Sequence, residues 1–172
     1  MNNKPNTEES DRLKALGLAV IKNEAAAVLA LSDRITENFT RACRFMLACK
    51  GRIVVIGMGK SGHICGKIAA TLASTGSPAF FVHPGEASHG DLGLITDKDV
   101  VLALSNSGET RELLTIIPII KRLGIPLIAL TGDSASNLAQ EADVHIDVGV
   151  QQEACPLNLA PTSSTTAALA MG

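Results

Sequence analysis

A chain of 172 residues is long enough for one α/β domain with its own core. With 46% apolar and 19% charged residues it is neither disordered nor collagen-like. Only 2% of residues are aromatic, with no Trp and no Tyr, which argues against a stacking-based reader of single-stranded nucleic acid; a formal charge of −2 offers polyanions no basic surplus.

Residues 1–10 are polar and acidic and read as a disordered tail. They lack the apolar core of a signal peptide, which points to the cytoplasm. Leu13, Leu16, Val20, Val28 and Leu31 recur near helical spacing and predict a first helix over about 11–31. Ser32 and Asp33 offer a break, and a second helix is predicted to run to about 48. No run approaches twenty consecutive apolar residues, so no membrane span is expected.

Short runs rich in aliphatic residues follow at 52–56, 79–82, 100–104, 126–130 and 144–147. They alternate with helical stretches at about 61–74, 110–123 and 136–141. That alternation predicts an α/β fold, a five-stranded parallel sheet flanked by helices on both faces. The expected order is 2-1-3-4-5, a flavodoxin-like winding. A last helix starts after Pro161 and is still apolar at Met171 and Gly172, so the chain reads as truncated there. Cys43, Cys49, Cys65 and Cys155 show no CxxC or metal-ligand spacing and read as reduced packing residues.

Ligands of open parallel sheets bind beyond the carboxyl ends of the strands, and three polar clusters fall there. Gly57-Met58-Gly59-Lys60-Ser61-Gly62 follows the first strand and matches GxGxxG. A dinucleotide site also wants an acid at the end of strand two, which instead reads Phe81-Val82-His83-Pro84. A P-loop wants a glycine where Val54 stands. The nucleotide readings are therefore weak. Ser105-Asn106-Ser107-Gly108-Glu109-Thr110 follows the third strand and opens a helix. A plain N-cap accounts for one hydroxyl; Ser105, Ser107 and Thr110 make three, the composition of a phosphate cradle at a helix start. Glu153 and the hydroxyl-rich stretch 161–166 follow the fifth strand.

These clusters resemble the sugar isomerase (SIS) domain over residues 11–172. More narrowly, 57–62, 83–93 and 153–162 resemble the D-arabinose 5-phosphate isomerase family. The resemblance implies an aldose–ketose isomerase that interconverts D-ribulose 5-phosphate and D-arabinose 5-phosphate, feeding 3-deoxy-D-manno-octulosonate and lipopolysaccharide synthesis. Such proton transfer through an enediolate requires no cofactor, only a base, a proton donor and a stabiliser of the oxyanion. By resemblance the catalytic residues are Lys60, Glu112 and Glu153, with Glu109 the rival of Glu112. Substrate contacts are expected from Ser61, Gly76, Ser77, His83, His89, Ser105, Asn106, Ser107, Thr110, Gly149, Val150 and Gln151. His83 is expected to take an inhibitory zinc. His63 and His145 are read as packing or structural residues.

The family further implies a homotetramer, two CBS domains after this domain, and another histidine beyond Gly172. The alternatives are another SIS sugar-phosphate isomerase, or a regulatory SIS domain that senses a sugar phosphate. A sensor needs the hydroxyl cradle but not Lys60, Glu112 and Glu153 together.

Overall fold

The computed structural model describes residues 7–87 and 91–172. Its centre is a parallel sheet of β1 (Ile53–Gly57), β2 (Ala79–Val82), β3 (Val100–Leu104), β4 (Leu127–Thr131) and β5 (Val144–Asp147) in the order β2-β1-β3-β4-β5. The winding is the expected one. β1, β3 and β4 are buried at every position, because helices cover both faces. Alternate residues serve two cores. Val55, Leu102 and Ile128 pack with Cys65, Ile68 and Ala168 on one face. Val54, Val101 and Ala129 pack with Leu113, Ile116 and Ile120 on the other.

The helices are α1 (Thr7–Leu29), α2 (Glu37–Ala48), α3 (Gly59–Ser74), α4 (Pro84–Ala87), α5 (Arg111–Leu123), α6 (Asn137–Glu141) and α7 (Ser163–Met171). α1 already begins at Thr7, inside the segment expected to be a tail. The break at Ser32 and Asp33 is a 3₁₀ turn, Ala30–Arg34, and α2 is capped by Thr36, whose hydroxyl accepts from Asn38 N. Elsewhere the expected bounds shift by at most two residues. The shifts fall at element ends, where local preference and hydrogen bonding compete.

α1 has no buried residue; Leu13, Leu16, Leu18, Ile21 and Leu29 all stay exposed. By length and composition alone, Thr7–Arg34 is apolar enough to cross a membrane. Counting consecutive apolar residues missed this, because Lys22 and Glu24 interrupt the run.

Candidate active site

The sheet reverses direction of winding between β1 and β3, and a cleft of about 350 Å³ opens there at the carboxyl edge. Three helices start at its rim. Lys60 and Ser61 come from the first turn of α3, Thr110 from the start of α5, and Ser164 and Thr165 from the first turn of α7. Ser105, Asn106 and Ser107 form its floor. Among the described residues no acidic side chain lines the cleft, and Lys60 is the one charged residue there.

Local sequence explains this construction. Gly59 sits at φ +60, which lets the chain turn from β1 straight into α3. Neither Met58 nor Thr110 caps its helix with a side chain, so the starts of α3 and α5 keep amide donors for an anion. The Thr110 hydroxyl instead pairs with Ser105 Oγ at 2.8 Å. Ser105 Oγ also accepts from Gly108 N at 3.1 Å, and Ser107 Oγ accepts from Glu109 N at 3.2 Å. The hydroxyls are thus held in place before any ligand arrives.

Glu153 stands behind the cleft wall. Its Oε2 accepts from Thr162 N at 2.8 Å, Thr162 Oγ1 at 3.1 Å and Ser164 N at 3.2 Å, so it caps α7 from a distance. Partial burial pushes its pKa up, but the donors of Ser164 and Thr162 outweigh this and hold it below the ordinary carboxylate value. Ser164 Oγ lies near enough to favour the charge, is buried on the cleft wall and has no hydrogen-bond partner among the described residues. Glu153 also borders a second hollow, of about 620 Å³, under α1. There Asn23 Nδ2 donates to the Glu153 carbonyl at 3.3 Å, while Asn23 Oδ1 accepts from Gln152 Nε2 at 2.9 Å. Sequence reading missed Asn23, whose partners lie some 130 positions away.

Several expected site residues lie elsewhere. Glu112 is exposed and off the cleft, because two positions beyond Thr110 the helix has turned by about 200°. Gly76 and Ser77 end the loop from α3 at the amino edge of the sheet, opposite the cleft. A residue that precedes a strand must lie on that edge, so this was open to sequence reading. Gly149, Val150 and Gln151 line a separate hollow with Asn23 and Arg34. Arg34 fixes that turn, donating to the Gly149 carbonyl at 2.5 Å and pairing with Asp147 at 3.2 Å.

His83 is half-buried, and its Nδ1 accepts from Gly85 N at 3.1 Å. His89 lies outside the described residues. Among the described residues no group of three or more His, Cys, Asp or Glu side chains is assembled for a metal. His145 is structural, its Nε2 sharing a hydrogen bond with Thr131 Oγ1 at 2.9 Å, whereas His63 is exposed rather than packed. All four cysteines are free. Burial pushes the Cys65 thiol up to about 12. The backbone amides of Ala160, Leu159 and Leu157 hold the Cys155 thiol below its ordinary value.

The profile of the SIS-domain family matches residues 46–172. The arabinose 5-phosphate isomerase KdsD of Pseudomonas aeruginosa is 64% identical over 149 residues, 87% of this chain and 46% of the relative. That of Escherichia coli K12 is 59% identical over 156 residues, 91% of this chain and 48% of the relative. The chain thus spans about half the length of the curated relatives it matches. Escherichia coli CFT073 c3406, solved in complex with A5P, is 43% identical with a TM-score of 0.88, covering 98% of this chain and 86% of its own.

Proposed function

The chain belongs to the SIS-domain family, and from that premise we propose that it interconverts D-arabinose 5-phosphate and D-ribulose 5-phosphate. One observation carries the reading: hydroxyls from three helix starts and Lys60 surround a single cleft that, among the described residues, no carboxylate lines. A phosphate dianion fits such a cleft by charge and by hydrogen bonding. Identity of 64% and 59% to two arabinose 5-phosphate isomerases supports the choice of pentose.

The phosphate sits on Ser105, Ser107 and Thr110, and the carbon chain runs past the start of α7 towards Glu153. Glu153 takes the proton from C2 of the aldose and returns it to C1. Among the described residues its hydrogen bonds all fall on Oε2, which leaves the lone pairs of Oε1 for that proton. Its lowered pKa keeps it ionised at neutral pH. Lys60 offsets the negative charge of the enediolate. His83 and His89 are assigned to the sugar, with His83 open to inhibition by zinc. Glu112 is assigned a secondary catalytic role, which rests on the family resemblance alone. The enzyme is placed in the cytoplasm as a homotetramer, with the exposed apolar face of α1 supporting assembly. There it feeds 3-deoxy-D-manno-octulosonate and lipopolysaccharide synthesis.

The test is to incubate the chain with D-arabinose 5-phosphate and follow ketose formation. Conversion to D-ribulose 5-phosphate is expected. Binding with no conversion would replace the isomerase reading with a sensing one.

A further inference from the structure

An acidic residue in the middle of an anion-binding loop is a physical contradiction. Glu109 is the one acid between Ser105 and Thr110, and its neighbours Ser107 and Thr110 both line the cleft. A free carboxylate there would sit a few ångströms from a bound phosphate, where like charges repel strongly.

The structure resolves the contradiction with a latch. Glu109 Oε1 accepts from Asn137 N at 2.6 Å, and Oε2 accepts from Asn137 Nδ2 at 2.7 Å. Asn137 opens α6, beyond the end of β4. A second tie runs alongside, from Leu138 N to the Gly108 carbonyl at 3.1 Å. Gly108 sits at φ +68 against Ser136, where a Cβ would collide with the serine side chain. With both oxygens engaged, Glu109 is not among the residues lining the cleft.

We propose that Glu109 is a positioning residue of the phosphate loop: latched to Asn137, its charge is held out of the cleft so that a phosphate meets only hydroxyls, amides and Lys60. This inference rests on the sugar-phosphate reading of the cleft. It also removes Glu109 as a rival proton acceptor, since both of its oxygens are occupied.

Asn137→Pro tests it. Proline lacks the backbone donor and the side-chain amide, so both latch bonds go. Asn137 is the first residue of α6, where proline is tolerated, and Ser136 before it is extended (φ −65, ψ 155), as a residue preceding proline should be. The probes are inorganic phosphate by calorimetry and D-arabinose 5-phosphate by steady-state kinetics, on the full chain. For Asn137→Pro the Kd of phosphate and the KM of the sugar phosphate are expected to rise together by about tenfold, with kcat within about twofold, and the penalty is expected to shrink at high salt. Asn137→Ala keeps the backbone donor and is expected to lose less. Adding Glu109→Gln to Asn137→Pro is expected to restore most of the phosphate affinity, because the released group is then neutral.

Wild-type affinity in Asn137→Pro would overturn the latch. A double variant that binds no better than Asn137→Pro would overturn charge exclusion and reduce the latch to loop ordering. If Asn137→Pro does not fold, Asn137→Asp decides: it sets a second carboxylate against Glu109, and unchanged phosphate affinity there would overturn the proposal. Wild-type protein that binds phosphate without isomerising the sugar would sink the proposed function and leave the latch standing.

Discussion

The loop after β3 and the segment after β5 meet at the same cleft but are built in opposite ways. The first closes within six residues. Its hydroxyls bond one another and their own backbone, and Gly108 N also reaches the Ser105 carbonyl at 3.1 Å. The second runs from 148 to 162, and its key carboxylate is fixed across the segment by Thr162 and by Ser164 at the start of α7, while Asn23 of α1 holds the backbone from 130 positions away. On the proposed function, the binding half of the site is therefore a local motif, and the chemical half is an assembly. A local motif tolerates changes elsewhere in the fold, whereas an assembly answers to every element that holds it.

The largest expected break between the two halves is Glu153→Gln. It keeps size and hydrogen bonding but cannot take a proton, so turnover is expected to fall by about 10²-fold or more while phosphate still binds. Near-normal turnover, with Glu112→Gln inactive instead, would move the base to Glu112. Gly108→Ala attacks the first loop through its backbone, adding strain of about 1–3 kcal/mol at positive φ together with the collision against Ser136. A lowered melting temperature and lost phosphate affinity are expected, and an unchanged melting curve would show that the loop is not under that constraint.

Ser105→Ala removes one hydroxyl and leaves the Thr110 hydroxyl without this partner. Losing a hydrogen bond to a charged ligand costs about 1.5–3 kcal/mol, so phosphate affinity is expected to fall by about tenfold or more with the fold intact. Equal Kd values in titration would remove Ser105 from the cradle. Asn23→Ala cuts the tether of the second segment. A neutral hydrogen bond contributes about 0.5–1.5 kcal/mol, so kcat is expected to drop a few-fold with phosphate affinity unchanged. A parallel loss of both would mean that the two halves are not separable.

The smallest effect is in stability against pH. The folded pKa of Glu153 is depressed, so its contribution is fully present above the ordinary carboxylate value and is lost as pH falls through the lower, folded value. The gap in melting temperature between the wild type and Glu153→Gln is expected to be constant near neutral pH and to close in acid. A gap that widens on acidification would reverse the sign assigned to Glu153.

Sequence by itself determined the strands, the helices between them and the hydroxyl-rich loop after β3, while the expected winding became definite only in the folded sheet. The aliphatic runs at 79–82, 100–104 and 144–147 became strands at those same residues. Strand and helix signals are local, and a buried parallel sheet reinforces them on both faces. Ser105, Ser107 and Thr110 were legible as a cluster because their hydroxyls are spaced within one glycine turn, and all three line the cleft. Tertiary structure alone decided the fate of the carboxylates. Glu109 and Glu112 look alike in sequence, three positions apart at a helix start. Only the arrival of Asn137, 28 positions away, turns Glu109 outward, and only the phase of α5 leaves Glu112 off the cleft. The same holds for Asn23, which meets Glu153 because α1 folds back over the end of the sheet. The physical reason is one of range: backbone preference and turn chemistry act within a few residues, whereas the direction and partners of a polar side chain are set by whichever element packs against it.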